Sequence, residues 1–209
     1  MAIAPDFEDV LAARARLAGA AVRTPLLAAP LLSERLGARV YLKPECLQRT
    51  GSFKFRGAWN AVQALGPAAR NGVVACSSGN HAQGVAEAAR LAGIPATIVM
   101  PKDAPAPKRV RTERSGARVI LYDRDCEDRE AIAAKLAEAE GLAFVHPFED
   151  PNVIAGQGTV GLEITDDCTL LHIVPEIVLV PCSGGGLSAG VSLAITEIFQ
   201  MAAVYVAEP

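Results

Sequence analysis

The sequence predicts an α/β fold with largely parallel sheets, on three observations. Helical and strand-like patterns alternate along the 209 residues, the strand-like stretches are short apolar runs, and the loops richest in serine and glycine fall between such a run and a helical pattern. Asp6 and Asp9 have capping spacing and open a helix that continues to residue 20. A strand follows at 40–42, a helix from Lys54 to residue 65, and a buried strand at 73–76. The alternation then runs helix 80–91, strand 96–100, helix 107–115, strand 118–122, charged helix 127–140 and short strand 142–145. A last region repeats the theme with helix 153–164, strand 177–180, helix 187–199 and strand 203–206.

Composition excludes several classes of function. With 51% hydrophobic and 21% charged residues, the chain can bury a substantial core, which argues against disorder. A formal net charge of −3, with Lys and Arg spread along the chain, leaves no basic footprint for nucleic acid. The five cysteines (Cys46, Cys76, Cys126, Cys168, Cys182) are odd in number and lack CxxC spacing, so they read as reduced thiols. The first nine residues carry acids and a proline where a signal peptide has basic residues and an apolar run, and no stretch reaches membrane-spanning length. A cytoplasmic protein without a membrane partner is therefore expected.

Three motifs carry the chemistry. Lys54 lies in Thr50-Gly51-Ser52-Phe53-Lys54-Phe55-Arg56-Gly57, and its aromatic neighbours suggest a desolvated amine, which is free to form an imine with a carbonyl. The alternative is a lysine snorkelling near a helix start. Ser77-Ser78-Gly79-Asn80-His81 follows the strand at 73–76 and opens a helix, the place where an α/β sheet receives ligands; its hydroxyls and amides suit a carboxylate. Ordinary helix capping by Ser78 or Asn80 explains the same residues. Ser183-Gly184-Gly185-Gly186-Leu187 also stands between a strand and a helix, and its glycines let several amides converge on a phosphate; a flexible turn is the alternative. A fourth pattern, Gly156-Gln157-Gly158-Thr159-Val160-Gly161, matches the dinucleotide fingerprint GxGxxG, with Glu176 as the acid. Residues 151–155 make a poor strand, however, and Glu176 precedes its strand, so the expectation is a glycine-containing helix start.

An imine-forming lysine, a loop for a carboxylate and a loop for a phosphate together specify pyridoxal phosphate and an amino-acid substrate. At this point the sequence resembles the fold type II pyridoxal-phosphate enzymes, the tryptophan synthase β-like architecture. Within them it is most similar to the threonine/serine dehydratase (threonine ammonia-lyase) and serine racemase branch. The resemblance rests on LKPE at 42–45 with Gln48, TGSFKFRGA at 50–58, SSGNHAQGVA at 77–86, AGIPATIVMP at 92–101, VIAGQGTVGLEI at 153–164, PCSGGGLSAG at 181–190 and VYVAEP at 204–209. These segments stand in family order.

The resemblance implies roles for the matching positions. Lys54 is the imine lysine and the base at the substrate Cα, Phe53 packs beside the cofactor ring, and Asn80 bonds its phenolic oxygen. Ser183, Gly184, Gly185, Gly186 and Leu187 hold the phosphate, with Ser183 standing where many relatives have glycine. Ser77, Ser78, Gly79, Asn80 and His81 bind the substrate, and Ser78 aligns with the second base of racemases. Arg129 aligns near a residue that contacts dicarboxylates, while a solvated charge explains it equally; His81 and His146 otherwise read as structural. The reaction implied is loss of water and ammonia from L-threonine or L-serine to give a 2-oxo acid. Racemisation of serine and dehydration of hydroxyaspartate are close variants. The family organisation places a small domain at 72–149 inside a larger one of 1–71 and 150–209, with the cofactor between them, in a homo-oligomer (dimer or tetramer). Family members continue beyond Glu208, so the larger domain is expected to be incomplete, with an apolar face uncovered near residues 203–206. Glu208 aligns with a ligand for magnesium or manganese whose other ligands lie further on. A chain without turnover, binding the cofactor weakly or not at all, is the competing reading from a different class.

Overall fold

Strand pairing organises the described residues into three separate sheets. The computed structural model describes residues 4–208. The helices are α1 (Phe7–Leu17), α2 (Pro30–Leu36), α3 (Lys54–Leu65), α4 (Asn80–Ala92), α5 (Ala106–Arg114), α6 (Arg129–Glu140), α7 (Pro151–Leu170) and α8 (Gly186–Ile198). The strands are β1 (Leu27–Ala28), β2 (Tyr41–Leu42), β3 (Val73–Cys76), β4 (Ala96–Pro101), β5 (Arg118–Tyr122), β6 (Ala143–Phe144), β7 (Ile177–Pro181) and β8 (Ala203–Ala207). A four-stranded parallel sheet has the order β5-β4-β3-β6, and β7 and β8 form a parallel pair. The parallel expectation holds for both. It misses the short antiparallel pair of β1 with β2 and the helix α2 between them, where Pro30 sits in the first turn and Gly37 closes the end in the left-handed region.

The β3 and β4 runs look uniformly apolar because both faces of their sheet are covered. Val73, Ala75, Ile98 and Met100 pack with Phe55, Ala58 and Val85 of α3 and α4. Val74, Cys76 and Val99 face the other way, against Ala133 of α6 and Leu142. The period of two thus distributes one continuous run between two cores. In the β7–β8 pair only one face is covered: Val180 packs with Val191 and Ile195 of α8, while Ile177, Leu179 and Tyr205 are exposed on the other. An uncovered apolar face was expected around residues 203–206, and it extends across β7.

The glycines of the GxGxxG segment lie in the second to fourth turns of α7, not at its start, because Asp150 caps the helix by accepting from the amides of Asn152 and Val153. Each is a point of close helix approach. A Cβ on Gly156 would stand 2.6 Å from Gly57 Cα of α3, and one on Gly158 would stand 2.8 Å from the Gly190 carbonyl of α8. One on Gly161 would meet the Val191 carbonyl at 2.9 Å. The pattern therefore sets helix packing and has no phosphate to hold. Alanine at Gly156 gains helix propensity but must displace the α3 backbone, so Gly156→Ala is expected to lose about 1–3 kcal/mol of stability in urea unfolding. A neutral or stabilising result would show that the α3–α7 contact is looser than described.

Arg56 on α3 is 1% exposed and meets two carboxylates in forked pairs. Its Nε and Nη2 donate to Glu45 at 2.8 Å each, and its Nη1 and Nη2 donate to Glu163 of α7 at 2.7 and 3.0 Å. Lys43 adds a second cation to Glu163 at 2.8 Å. These bonds tie the segment after β2, α3 and α7 together directly beside Lys54. Removal of the guanidinium leaves two carboxylates partly buried and short of a cation, so Arg56→Met is expected to cost about 3–5 kcal/mol in the same measurement.

Candidate functional site

Local backbone rules place Lys54 as the first residue of α3. The preceding chain turns sharply, with Thr50 at φ 64° and Gly51 at φ 78°. Thr50 is a β-branched residue in the left-handed region, a conformation that surrounding structure must enforce. The hydroxyls of Thr50 and Ser52 are buried without hydrogen-bond partners among the described residues. Strain and orphaned polar atoms thus gather just ahead of the lysine.

The Lys54 amine donates to the Pro147 carbonyl at 2.8 Å and stands 5.3 Å from the centre of the Phe53 ring. Among the described residues no carboxylate pairs with it. Burial therefore holds its pKa below the ordinary lysine value. The snorkelling alternative is not what the structure describes, since the amine ends on a protein carbonyl. Phe53 also packs with the cluster formed by β7 and α8, to which Leu187 belongs. The lysine segment and the glycine loop are thereby neighbours.

That loop turns on Gly185, at φ 82°. Ser183 is not among the described residues with positive φ, so the serine needs no glycine-only angles. Gly184 and Gly186 are required for a different reason: a Cβ on Gly184 would lie 2.4 Å from the Phe148 ring, and one on Gly186 would meet the Phe148 backbone at 3.1 Å. Aspartates cap α1, α6 and α7, whereas α2, α3, α4, α5 and α8 begin without a side-chain cap. At the starts of α4 and α8 the amides of Asn80 and His81 and of Gly185, Gly186 and Leu187 can receive an anion, while the Gly79 amide is taken by the Ser77 hydroxyl. An open glycine turn at a helix start and an unpaired amine below its normal pKa fit the phosphate and aldehyde of pyridoxal phosphate.

In the second loop the Ser77 hydroxyl accepts from the Gly79 amide at 3.1 Å and shapes the turn. Neither the Ser78 hydroxyl nor the exposed Asn80 side chain has a partner among the described residues. Ser77, Ser78 and Arg129 line one small recess, of about 30 Å³, at the C-terminal ends of β3–β5. Arg129 thus shares this recess with Ser78, while its half-exposed guanidinium pairs with Glu130 at 3.6 Å. Beneath it the Cys76 thiol donates to the Arg129 carbonyl at 3.1 Å, and burial pushes its pKa up to about 11, which makes it a poor nucleophile. A larger recess of about 520 Å³ between Arg23, Asp166, Asp167 and Ile198 is an open surface feature lined by none of the three motifs. Its aspartates pair with Arg23.

His81 is buried, and its Nε2 donates to the Val145 carbonyl at 3.1 Å, leaving Nδ1 without a partner. Burial pushes its pKa down to about 4. Residues 145–149 thus touch all three motifs: Val145 meets His81, Pro147 meets Lys54 and Phe148 meets Gly184. Sequence reasoning placed a strand at 142–145 and read His146 as structural, but gave Pro147 and Phe148 no role. The local signal for those two was an aromatic residue, Phe148, framed by Pro147 and Pro151. Glu208 is exposed, and no group of three metal-ligating side chains exists among the described residues, so the structure assembles no cation site there.

His81 generates a stability prediction. Its folded pKa lies below the unfolded value of 6.5, so the unfolded chain binds the proton first and stability is lost as pH falls from 6.5 toward about 4. The loss is on the order of 3 kcal/mol at the low end of that window. His81→Gln retains a donor for Val145 and cannot titrate, so its urea midpoints are expected to fall less steeply than those of the parent over this range. Parallel curves would contradict a neutral buried His81.

The family described as pyridoxal-phosphate dependent enzyme matches residues 17–209. An L-threonine ammonia-lyase of Thermotoga maritima is 51% identical over 192 residues, which cover 91% of this chain and 47% of that protein. An L-threo-3-hydroxyaspartate ammonia-lyase of Saccharomyces cerevisiae is 45% identical over 208 residues, 99% of this chain and 63% of the relative. Among solved structures, maize serine racemase superposes with a TM-score of 0.93 at 39% identity, covering 99% of this chain and 62% of the other. The chain spans about half to two-thirds of the length of these relatives. No described helix is long and apolar enough to cross a membrane.

Proposed function

This chain belongs to the pyridoxal-phosphate dependent enzyme family, and from that premise we propose that its function is elimination of water and ammonia from L-threonine or L-serine to give a 2-oxo acid. The observation that carries the proposal is the Lys54 amine, desolvated, unpaired with any carboxylate among the described residues and set between the Phe53 ring and the Pro147 carbonyl. When bound at this site, pyridoxal phosphate would supply an aldehyde and a pyridinium ring that accepts electrons.

The chain's own residues do the remaining work. Lys54 takes the proton from the substrate Cα, a role that its lowered pKa favours at neutral pH. Ser77, Ser78, Gly79, Asn80 and His81 present amides and hydroxyls to the substrate carboxylate, and the Asn80 side chain would bond the cofactor's ring oxygen. Amides from Ser183 to Leu187 hold the phosphate at the start of α8. Residues 72–149, which contain the four-stranded sheet, form the small domain. The larger domain consists of 1–71 and 150–209, and the protein acts as a homo-oligomer. Five unpaired cysteines support a cytoplasmic setting. A divalent cation at Glu208 is no part of this reading.

Two variants are favoured by specific features. Arg129 beside Ser78 suits a substrate with a second carboxylate, such as hydroxyaspartate. The unpartnered Ser78 hydroxyl suits proton delivery to Cα, which would make the chain a racemase.

Incubation with pyridoxal phosphate and borohydride, followed by peptide mapping, is expected to place one pyridoxyl group on Lys54. Lys54→Ala is expected to abolish that adduct and to lower ammonia release from threonine by about a thousandfold or more. Scattered adducts, or none, would mark a chain without turnover. Ammonia release that survives in Lys54→Ala would refute the assignment of the base.

A further inference from the structure

Residues 145–149 form a short turn held together by a histidine. His146 Nδ1 accepts from the Glu149 amide at 2.9 Å and from the Phe148 amide at 3.4 Å, so Nδ1 carries the lone pair and Nε2 the hydrogen. The Nε2 side faces the exposed Glu149 carboxylate at 3.5 Å. The ring also packs edge-on against Phe148, with centroids 4.8 Å apart. Between the residue that accepts and the two that donate lies Pro147, whose carbonyl receives the Lys54 amine at 2.8 Å. Proline fixes its own φ but has no amide hydrogen, so His146 and its neighbours must set the direction of that carbonyl.

We infer that His146 is a positioning residue for Lys54: its Nδ1 closes the turn that aims the Pro147 carbonyl at the lysine amine. The carbonyl accepts one amine hydrogen and thereby restricts the nitrogen lone pair to the two remaining positions whenever Lys54 is not engaged with a carbonyl compound. This inference rests on the proposed function only in taking Lys54 as the working amine. Among the described residues the titratable groups around that amine are few. His81 approaches from α4 and is neutral at physiological pH, His146 is on the turn itself, and no carboxylate forms an ion pair with Lys54. The Pro147 carbonyl is therefore the partner that most favours the charged form of Lys54, opposing the burial that disfavours it.

The test needs no cofactor. Reductive methylation with formaldehyde and cyanoborohydride, followed site by site in peptide maps across pH, gives the midpoint for Lys54; exposed Lys102 and Lys135 serve as references in the same sample. His146→Phe keeps the ring and removes the acceptor, whereas His146→Asn removes the ring and offers an oxygen that accepts from the same two amides. The expected result is a Lys54 midpoint about one pH unit lower in His146→Phe, hence about tenfold faster methylation at neutral pH, with the parental midpoint restored in His146→Asn. Equal midpoints in all three proteins, or equal shifts in both variants, would overturn the inference. If His146→Phe fails to fold, its Lys54 will methylate like Lys102. His146→Asn then decides alone: a parental midpoint supports the acceptor role, and a shifted one refutes it. Because pyridoxal phosphate is absent, failure here is distinct from failure to form the Lys54 adduct.

Discussion

The buried guanidinium of Arg56 constrains everything around Lys54. Its five donors meet Glu45, Glu163 and the Thr159 hydroxyl at 3.2 Å, so one side chain holds the segment after β2 against both α3 and α7. A planar fork with two carboxylates has few alternative arrangements, unlike an apolar contact, which slides. Such an ion pair gains little net stability over apolar packing, because desolvation offsets attraction. Its contribution is to specify which residues of α3 and α7 face each other. Lys54 lies two residues before Arg56 on the same helix, so its position is set by the same bonds.

The glycines of α3, α4, α7 and α8 act on the same geometry from the apolar side. A Cβ on Gly57 would meet the Gln157 side chain at 2.4 Å, and one on Gly84 would meet the Lys54 backbone at 3.1 Å. Four helices consequently pack with their backbones close together, and the loops at their starts converge. The cost appears as polar atoms without partners, among them Gln157 Nε2 and the hydroxyls of Thr50 and Ser52. The last two lie beside Lys54, where strain and unsatisfied polar groups accompany function.

The motifs were legible because each is written in adjacent residues. Ser77 to His81 after β3 and Ser183 to Leu187 after β7 stand where a strand meets a helix, and Lys54 among its aromatics opens α3 behind two tight turns at Glu45–Leu47 and Arg49–Gly51. Elements with a strong period were legible for the same reason, such as the Asp6–Asp9 capping box of α1 and the buried strands β3 and β4. Other features were not. Helix α2 carries exposed Leu31 and Leu36 and buries no residue, so it lacks the apolar stripe that marks a helix. The α7 glycines matched a phosphate-loop pattern letter for letter, although their purpose is helix approach.

What the sequence by itself determined is the fold class, the order of the main elements and the identity of the three motifs. These depend on periodicity and on chemistry confined to a few neighbouring residues. The tertiary structure alone decided that the Lys54 amine ends on the Pro147 carbonyl, 93 residues away, that His81 is buried beneath Val145, and that Phe148 occupies the space left by Gly184. It also decided which face of the β7–β8 pair is uncovered. The physical reason is that a backbone carbonyl is the same group at every position in a sequence. Which one receives a buried amine depends on the turn that aims it, and that turn is held by contacts between residues distant along the chain.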